Sequence, residues 1–413
     1  MFMKLAVKSL LNRKGSAILT LMAMTISIFV LLAVEHIRYQ AKDSFANTVS
    51  GVDLIVGART GSLNLLLYSV FRIGSPTNNI RWESFEDIVS NPQVKWAIPI
   101  ALGDSHKGYR VMGTTRDYFE FFSYGNRHSL SFDKGRVFSS VFDVVIGSDV
   151  AKKLGYSLGE KLVLSHGIAS TSFSLHDDRP FTVVGILEPT GTPVDQTLHV
   201  GLEGIEAIHI DWRQGVKVPG SDITADEIEQ LELKPKTVTA FMLGLKSRVA
   251  TFRVQRDINN YAKEPMLAIL PGVALSELWQ MMKVLENTLR LVSVLILIAA
   301  LLGLSAMLLA SIRERSREVQ LLRVIGASPT YLFLLIELEA LLITLVSTLV
   351  GVLLLYICLI AAGDYLASGY GLYIQSNIMS ASVFYLLLTV VMATAVAAAV
   401  PSLNIYKSAR MVQ

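Results

Sequence analysis

Two acidic residues lie inside an apolar stretch of the chain and are the first candidates for chemistry. Glu337 and Glu339 interrupt an otherwise uncharged run from Tyr331 to Ala362. Carboxylates within a membrane-spanning helix can relay protons. These two, however, lie about two turns beyond the predicted helix start at Tyr331, where helix polarity and nearby arginines stabilise negative charge. We therefore interpret them as membrane-embedded acidic residues with a structural role, which we favour over a proton path.

The histidines are the second candidates, because imidazole binds metal ions and transfers protons. None of those that follow the first apolar run has the spacing of a helix-borne metal pair or an H-E-x-x-H motif. They include His106, His128, His166, His176, His199 and His209. The stretch "LHDDRP" (His176, Asp177, Asp178) could bind a divalent cation weakly, but a solvated turn is favoured.

Other catalytic patterns are absent from the sequence. The one cysteine, Cys358, excludes an intrachain disulfide and a cysteine-based zinc site. No G-x-S-x-G elbow occurs. We predict no catalytic, cofactor-binding or metal-binding residue in this chain, and no enzyme activity of its own.

The composition is that of a membrane protein. Of the 413 residues, 52% are hydrophobic and 17% are charged, and the net charge of +3 is too small to indicate nucleic-acid binding. Four uncharged runs are each long enough to cross a bilayer. They are Gly15–Val34, Leu291–Ile312, Ala340–Gly363 and Ala381–Tyr406. The first could be a cleaved signal peptide, but it is too long and no small-residue cleavage site follows, so we interpret it as an anchor.

Lysine and arginine are distributed unevenly around these runs, and this predicts the orientation. Basic residues precede the first run, separate the second from the third, and follow the fourth, whereas none lies between the third and fourth. The positive-inside rule therefore predicts both termini in the cytoplasm and residues 35–286 outside it. The predicted fold class is an α-helical membrane protein with four transmembrane helices and a large α+β extracytoplasmic (periplasmic) domain between the first two.

Local patterns divide the chain further. "FDVVIG" and "PFTVVGILEP" read as strands, "SDVAKKLGY" as a helix with a Gly stop, and "ITADEIEQLE" as another helix. A helix predicted from about Ser276 runs into the second span, because no Pro or Gly occurs from Val273 to Leu302. The predicted segments are an amphipathic helix and first span (1–36), the outer domain (37–285), the second span (286–312), a cytoplasmic segment (313–329), the third span (330–362), a short periplasmic loop (363–380), and the fourth span with a tail (381–413).

The cytoplasmic segment, "RERSREVQLLRVIGASP", is highly charged and prone to form a helix. Gly326 is a suitable helix stop, and Ser328 and Pro329 are a suitable N-cap and first helical residue. A charged helix along the inner membrane surface is well placed to contact a cytoplasmic partner. The alternative is a basic loop that only fixes topology.

Several stretches together resemble one family. They are "LAVKSLLNRKGSAILTLMAMTISI", "FDVVIGSDVAKKLGYSLGEKLVL" followed by "FTVVGILEPTGTPVDQTLHV", "RERSREVQLLRVIGAS" and "IELEALLITLVSTLVGVLL". Their order and spacing resemble the FtsX/MacB-like permeases, the type VII ABC transporter permeases, which include lipoprotein-releasing permeases. The tail "VPSLNIYKSARMVQ" keeps only the outline of the Pro-Ala-Arg-rich end that is common in this family.

The resemblance implies a non-catalytic inner-membrane permease subunit in a bacterium. No G-x-x-x-x-G-K-[ST] loop occurs, so a separate ABC ATPase would bind ATP and Mg. Two permeases, more plausibly a homodimer than a heterodimer, would couple ATP hydrolysis to export or extraction of a substrate by mechanotransmission. The alternative is a membrane-anchored regulator of a periplasmic enzyme such as a cell-wall hydrolase. The residues that would couple to the ATPase are Arg313, Arg315, Arg317, Glu318, Leu321, Leu322 and Gly326.

Besides the ATPase, the expected partners are a periplasmic adaptor or substrate protein and membrane lipids, but no nucleic acid. The apolar stretch "LNLLLYSVF" could pack in a dimer seam or at the base of the outer domain, or form an exposed surface for a substrate. The substrate and the direction of transport do not follow from the sequence.

Overall fold

The structure is a computed structural model. It describes residues 2–12, 14–125, 127–167, 179–210, 212–213, 216–217, 231, 233–314, 324, 326–370 and 381–410. The chain divides into two compact units. We call residues 1–41, 282–367 and 374–413 the membrane unit, and residues 42–281 with 368–373 the outer domain.

In the described residues the helices are α1 (Phe2–Asn12), α2 (Lys14–Asn47), α3 (Ser62–Ser69), α4 (Trp82–Val89), α5 (Asp117–Phe121), α6 (Ser148–Leu154), α7 (Leu202–His209), α8 (Thr251–Asn259), α9 (Pro271–Glu314), α10 (Pro329–Tyr370) and α11 (Ala381–Arg410). The strands are β1 (Leu54–Ala58), β2 (Ile80–Arg81), β3 (Val94–His106), β4 (Tyr109–Thr114), β5 (Ser123–Tyr124), β6 (His128–Ser129), β7 (Phe132–Gly135), β8 (Asp143–Ile146), β9 (Lys161–Leu162), β10 (Ser165–His166), β11 (Phe181–Leu187), β12 (Thr197–Gly201), β13 (Trp212–Arg213), β14 (Val216–Lys217), β15 (Thr237–Val238), β16 (Ala240–Leu245) and β17 (Met266–Ile269).

Within the described residues, four helices are long and apolar enough to cross a membrane: α2, α9, α10 and α11. Their buried apolar side chains form one continuous cluster. Hydroxyl groups also connect them, because Ser347 of α10 donates to the carbonyl oxygen of Leu21 (3.2 Å) and Ser305 of α9 donates to that of Ala397 (3.0 Å). A Cβ on Gly351 would lie 3.4 Å from Ile28, so α2 and α10 approach closely there, as small residues allow in membranes.

The start of α10 follows the predicted capping. The Ser328 hydroxyl accepts a hydrogen bond from the backbone N–H of Tyr331 (3.2 Å), and Pro329 is the first helical residue. Gly326 has φ +99°, a conformation that glycine adopts without strain. At its other end α10 continues to Tyr370, beyond the predicted end of the third span at residue 362. The added turns contain Asp364, so they extend the helix past its uncharged run.

The outer domain is built on an eleven-stranded sheet in its described part. The strand order is β17-β1-β16-β3-β4-β12-β8-β11-β7, and β10 and β9 pair with β3 and β11. Strand β3 has 13 residues and joins the two halves, because it pairs with β16 at one end and β4 at the other. The strand pairs β4–β12 and β8–β11 are parallel. Apolar clusters lie on both faces of this sheet, under the helices.

Local predictions for the outer domain hold in outline. The predicted strand–helix stretch forms β8 and α6, and Gly155 ends α6 with φ +71°. The N-cap, however, is Gly147, because Ser148 is already the first residue of the helix. "TVTAFMLGLKS" is divided at Thr239 into β15 and β16. The predicted helix "ITADEIEQLE", apart from Leu231, and the candidate ligands His176, Asp177 and Asp178 of "LHDDRP" lie outside the described residues.

The apolar stretch "LNLLLYSVF" packs inside the outer domain. It forms most of α3, and Leu65, Leu66 and Tyr68 are almost fully buried in the central cluster with Val70 and Phe71. An exposed substrate surface on this stretch is therefore excluded. Burial of large apolar side chains is the main stabilising term for such a segment.

Candidate coupling site in the membrane unit

Helix α9 is the element that could transmit movement along the chain. It is one uninterrupted helix of 44 residues, from Pro271 to Glu314. At 1.5 Å per residue it is about 66 Å long, more than twice the thickness of a bilayer core. Its backbone hydrogen bonds run without a break, because its glycines and its proline are confined to the first turn and to Gly303 within the span. The structure starts this helix five residues before the predicted Ser276.

Four charged residues of α2 and α9 form a cluster that we call the α2–α9 ion-pair cluster. Within α2, Arg38 Nη2 lies 2.5 Å from Glu35 Oε1. Between the helices, Arg38 Nη1 lies 3.7 Å from Glu286 Oε2, and Arg290 Nη2 lies 3.5 Å from Glu35 Oε2. Each arginine thus reaches a glutamate on the other helix, so the pairs bridge α2 and α9 twice.

The spacing of these charges along each helix explains the arrangement. Glu35 and Arg38 are three residues apart, and Glu286 and Arg290 are four apart, so each pair occupies one helix face. Three of the four side chains are mostly buried, and Arg290 is about half exposed. A single exposed ion pair contributes about 0–1 kcal/mol, but partly buried pairs in a network hold geometry better. We infer that the cluster keeps α2 and α9 in register.

Sequence reasoning missed this cluster. The available signal was the position of both charge pairs, immediately outside the first and second apolar runs and at helical spacing. The pairing across helices depends on how each helix is rotated, which the spacing alone does not determine.

The two predicted intramembrane acids lie on α10. Glu339 is 2% exposed. Glu337 is half-buried and lies near the Ser402 hydroxyl of α11, and among the described residues its Oε1 has no hydrogen-bond partner. Both therefore face other helices of the membrane unit rather than lipid. Their structural role remains a prediction.

The predicted ATPase-coupling residues are only partly described. Arg313 is exposed in the last turn of α9, and Gly326 lies in the turn before α10. Arg315, Arg317, Glu318, Leu321 and Leu322 lie outside the described residues. The structure thus fixes the two ends of this segment, and the contact itself stays a prediction.

The described histidines of the outer domain have structural surroundings. His106 bonds the Val163 carbonyl oxygen (2.6 Å) and the Tyr156 hydroxyl (3.0 Å), and burial lowers its pKa. Nδ1 of His209 bonds the Ile205 carbonyl oxygen (2.8 Å). Within the described part of the chain, no group of three or more potential metal ligands comes together.

The burial of His199 predicts that the stability of the outer domain depends on pH. His199 is fully buried on β12 and stacks on Tyr118 at 5.2 Å. Burial, and then the positive charge of Arg72, lower its pKa from 6.5 to about 3. An unfolded chain would bind a proton below pH 6.5 while the folded chain would not, so stability is complete above 6.5 and falls as the pH drops. Between pH 7 and pH 5 we expect a loss of about 2 kcal/mol.

The variant His199→Phe tests this, because it keeps an aromatic ring and removes the titrating group. Thermal unfolding of the full chain in detergent should then depend less on pH between 7 and 5. His128→Gln, at an exposed position, is the control and should keep the wild-type dependence. An unchanged pH dependence in His199→Phe would contradict the assignment.

Comparison with known families decides what this architecture is. The profile of the MacB-like periplasmic core domain matches residues 17–261, which is more than half of the chain. The profile of the FtsX-like permease C-terminal region matches residues 290–409. The chain belongs to the FtsX/MacB-like permease family. The predicted family and fold class are confirmed, including four apolar helices with a large domain between the first and second.

Two solved structures resemble this permease. The periplasmic region of MacB from Actinobacillus actinomycetemcomitans shares 10% identity with a TM-score of 0.35, over 56% of this chain and 94% of that one. The extracellular domain of the ABC-type transporter YknZ from Gram-positive bacteria shares 12% identity with a TM-score of 0.31, over 53% and 98%. A search of curated proteins found no match. The family assignment therefore depends on the two profiles.

Membership gives the general role. The permease is the membrane subunit of an ABC transporter in the bacterial inner membrane, and it works with an ABC ATPase.

Proposed function

We propose that this permease couples ATP hydrolysis by a separate ATPase to work outside the inner membrane, by mechanotransmission along its helices. The observation that carries the proposal is α9, a single helix that begins at the outer domain's last strand and ends at the predicted coupling segment. An unbroken helix transmits an axial shift or rotation, whereas a flexible loop would absorb it. The work is export or extraction of a substrate, which need not pass between the spans.

The proposed cycle uses this chain's residues in sequence. ATP and Mg bind to the partner ATPases, and their closure displaces the segment from Arg313 to Gly326. The displacement enters α9 at Arg313, the basic residue of its last turn. Helix α2 follows, because Arg38 and Arg290 bind glutamates across the two helices. The working unit contains two permeases and two ATPases, and we favour a homodimer of the permease over a heterodimer.

Neutralising Arg38 tests the α2–α9 connection. Arg38→Gln removes the group that pairs with both Glu35 and Glu286, and it leaves Arg290–Glu35 as the remaining pair of the cluster between the helices. We expect ATP hydrolysis to continue while substrate export or extraction falls several-fold, since α2 follows α9 less closely when one of the two bridges is lost. Both rates are measured on the complex with its ATPase in proteoliposomes.

A charge swap provides the matched control. Arg38→Glu combined with Glu286→Arg restores a pair of opposite charges across the helices, so it should recover part of the lost work. If the Arg38→Gln complex assembles normally and exports or extracts substrate at the wild-type rate, the result would count against coupling through this cluster.

The proposed orientation places both termini in the cytoplasm. It is supported by the positions of lysine and arginine around the four apolar helices. In a Cys358→Ser background, a cysteine at Ser368 should react with a membrane-impermeant maleimide added to intact spheroplasts. Labelling of Ser368→Cys only after the inner membrane is opened would contradict this orientation.

A further inference from the structure

A cleft of about 800 Å³ opens in the outer domain and has no role in the proposed cycle. Its walls come from the residues before β1, the start of β3, the segment after β16, the β5–β6 loop and the start of α9. We call it the junction cleft, because it is lined by residues of both chain segments that connect the outer domain to the spans. These are residues 51–53 after α2 and 270–273 at the start of α9.

The junction cleft is strongly cationic. Lys95, Arg127, Lys246 and Arg248 line it, and its one carboxylate is Asp53. The Asp53 carboxylate already accepts a hydrogen bond from the backbone N–H of Leu245 (2.7 Å). Among the residues that the structure describes, Lys95, Arg127 and Arg248 make no ion pair, although other cations of this domain do. A concave site lined by one sign of charge concentrates the opposite charge.

The cleft also has an apolar side. Trp96 lies in its wall and stacks on Phe121, with ring centroids 5.6 Å apart. Phe252 is 69% exposed at the cleft, and neighbouring Val249 is 90% exposed. Large apolar side chains that are exposed to solvent next to a cavity are typical of a surface that binds another protein.

Arg127 is held at the cleft by an uncommon backbone. It has φ +62°, the left-handed region that a side chain other than glycine rarely adopts. Strain of this kind, of about 1–3 kcal/mol, persists where the surroundings demand it and is concentrated at functional sites. Here it places a guanidinium at a wall where three other cations already lie.

The cleft belongs to the outer domain alone, because every residue that lines it lies in that unit. A protein partner on the same side of the membrane as the outer domain can therefore reach it.

We propose that the junction cleft binds an acidic peptide segment of a protein partner, with carboxylates on its cations and an apolar side chain against Trp96 and Phe252. The four cations come from three separate chain segments around the wall, which suits several carboxylates along a peptide better than one compact anion. A bound segment touches both connections between the outer domain and the spans. The side of the membrane on which the partner lies depends on the proposed orientation, whereas the chemistry of the ligand does not.

Peptide binding to the full chain in phosphatidylcholine nanodiscs tests the proposal. The probe is a dansyl peptide with two glutamates on each side of a leucine–phenylalanine pair, and the control peptide has glutamine in place of glutamate. Fluorescence anisotropy at about 0.15 M salt should show binding of the acidic peptide only. Lys95→Gln with Arg127→Gln and Arg248→Gln should weaken it about tenfold. Phe252→Ala should weaken it several-fold.

Three exposed lysines elsewhere in the outer domain supply the matched control. Lys134→Gln with Lys152→Gln and Lys161→Gln removes the same charge and should bind the acidic peptide as the wild type does. Equal weakening in this control, binding of the glutamine peptide, or no binding to the wild type would overturn the proposal. Loss of the peptide in phosphatidylglycerol nanodiscs would assign the cleft to lipid head groups and would also overturn it. None of these results depends on ATP hydrolysis, so the proposed function is tested separately.

Discussion

Inserting four glycines after Gln280 should abolish the work done outside the membrane and leave ATP hydrolysis by the partner largely intact. Gln280 is exposed on α9, at the end of the outer domain and before the α2–α9 ion-pair cluster, so the insertion leaves the residues of that cluster unchanged. Each glycine lowers helix stability by about 1 kcal/mol, and four in succession replace a turn of stiff helix by a flexible link. A shift that enters α9 at the cytoplasmic end would then be absorbed before it reaches the outer domain.

Four inserted alanines are the control, because alanine continues the helix. Four residues turn a helix by about 400°, so the faces return to within about 40° of their original direction. The alanine variant should retain much of its export or extraction activity. If the glycine variant works as the wild type does, at normal expression, α9 is only a tether and the movement passes through α2.

Reversing Glu318 to lysine is the second change with a large expected effect. The coupling segment carries four arginines, Arg313, Arg315, Arg317 and Arg323, and Glu318 is one of its two glutamates. Losing one partner of a charged, hydrogen-bonded contact between subunits costs about 2–5 kcal/mol. We therefore expect Glu318→Lys to reduce ATP-driven work more than about tenfold, while membrane insertion stays normal.

Glu160→Lys makes the same change of charge at an exposed position of the outer domain and should have little effect. Co-purification with the ATPase, ATP hydrolysis and substrate work are measured for both variants. A Glu318→Lys complex that assembles and works as before would remove Glu318 from the ATPase contact.

Local signals predicted the membrane part of the fold well. Uncharged runs of 20 or more residues have few alternatives to a transmembrane helix, and all four runs form helices. The absence of Pro and Gly from Val273 to Leu302 predicted a continuous helix, and α9 is continuous there. Gly155 and Ser328–Pro329 mark helix ends because their backbone requirements are local.

The pairing of the outer-domain strands could not be predicted in this way. Strand β1 pairs with β16 and β17, and its partners lie 183 to 214 residues further along the chain. Such contacts depend on which apolar faces meet, and many arrangements bury a similar area. The burial of "LNLLLYSVF" is a consequence of that packing, so the sequence left it open.

In the candidate coupling site, too, some features follow from the local sequence and others depend on packing. The ends of the coupling segment follow from charge, Gly326 and Pro329, which are sequence features. The α2–α9 ion-pair cluster joins residues about 250 positions apart, Arg38 and Glu286. Each is an ordinary charged residue at the end of an apolar run, and only the rotation of two helices makes them partners.

The most direct measurement of the central claim is whether ATP moves the outer domain through α9. In a Cys358→Ser background, a spin label at Lys152→Cys, exposed on α6, reports the distance between the two copies in the assembled complex. The account predicts that a non-hydrolysable ATP analogue with Mg shifts this distance distribution in the wild type and in the four-alanine variant, but not in the four-glycine variant. The same shift in the glycine variant, or none in the wild type with nucleotide bound, would contradict it.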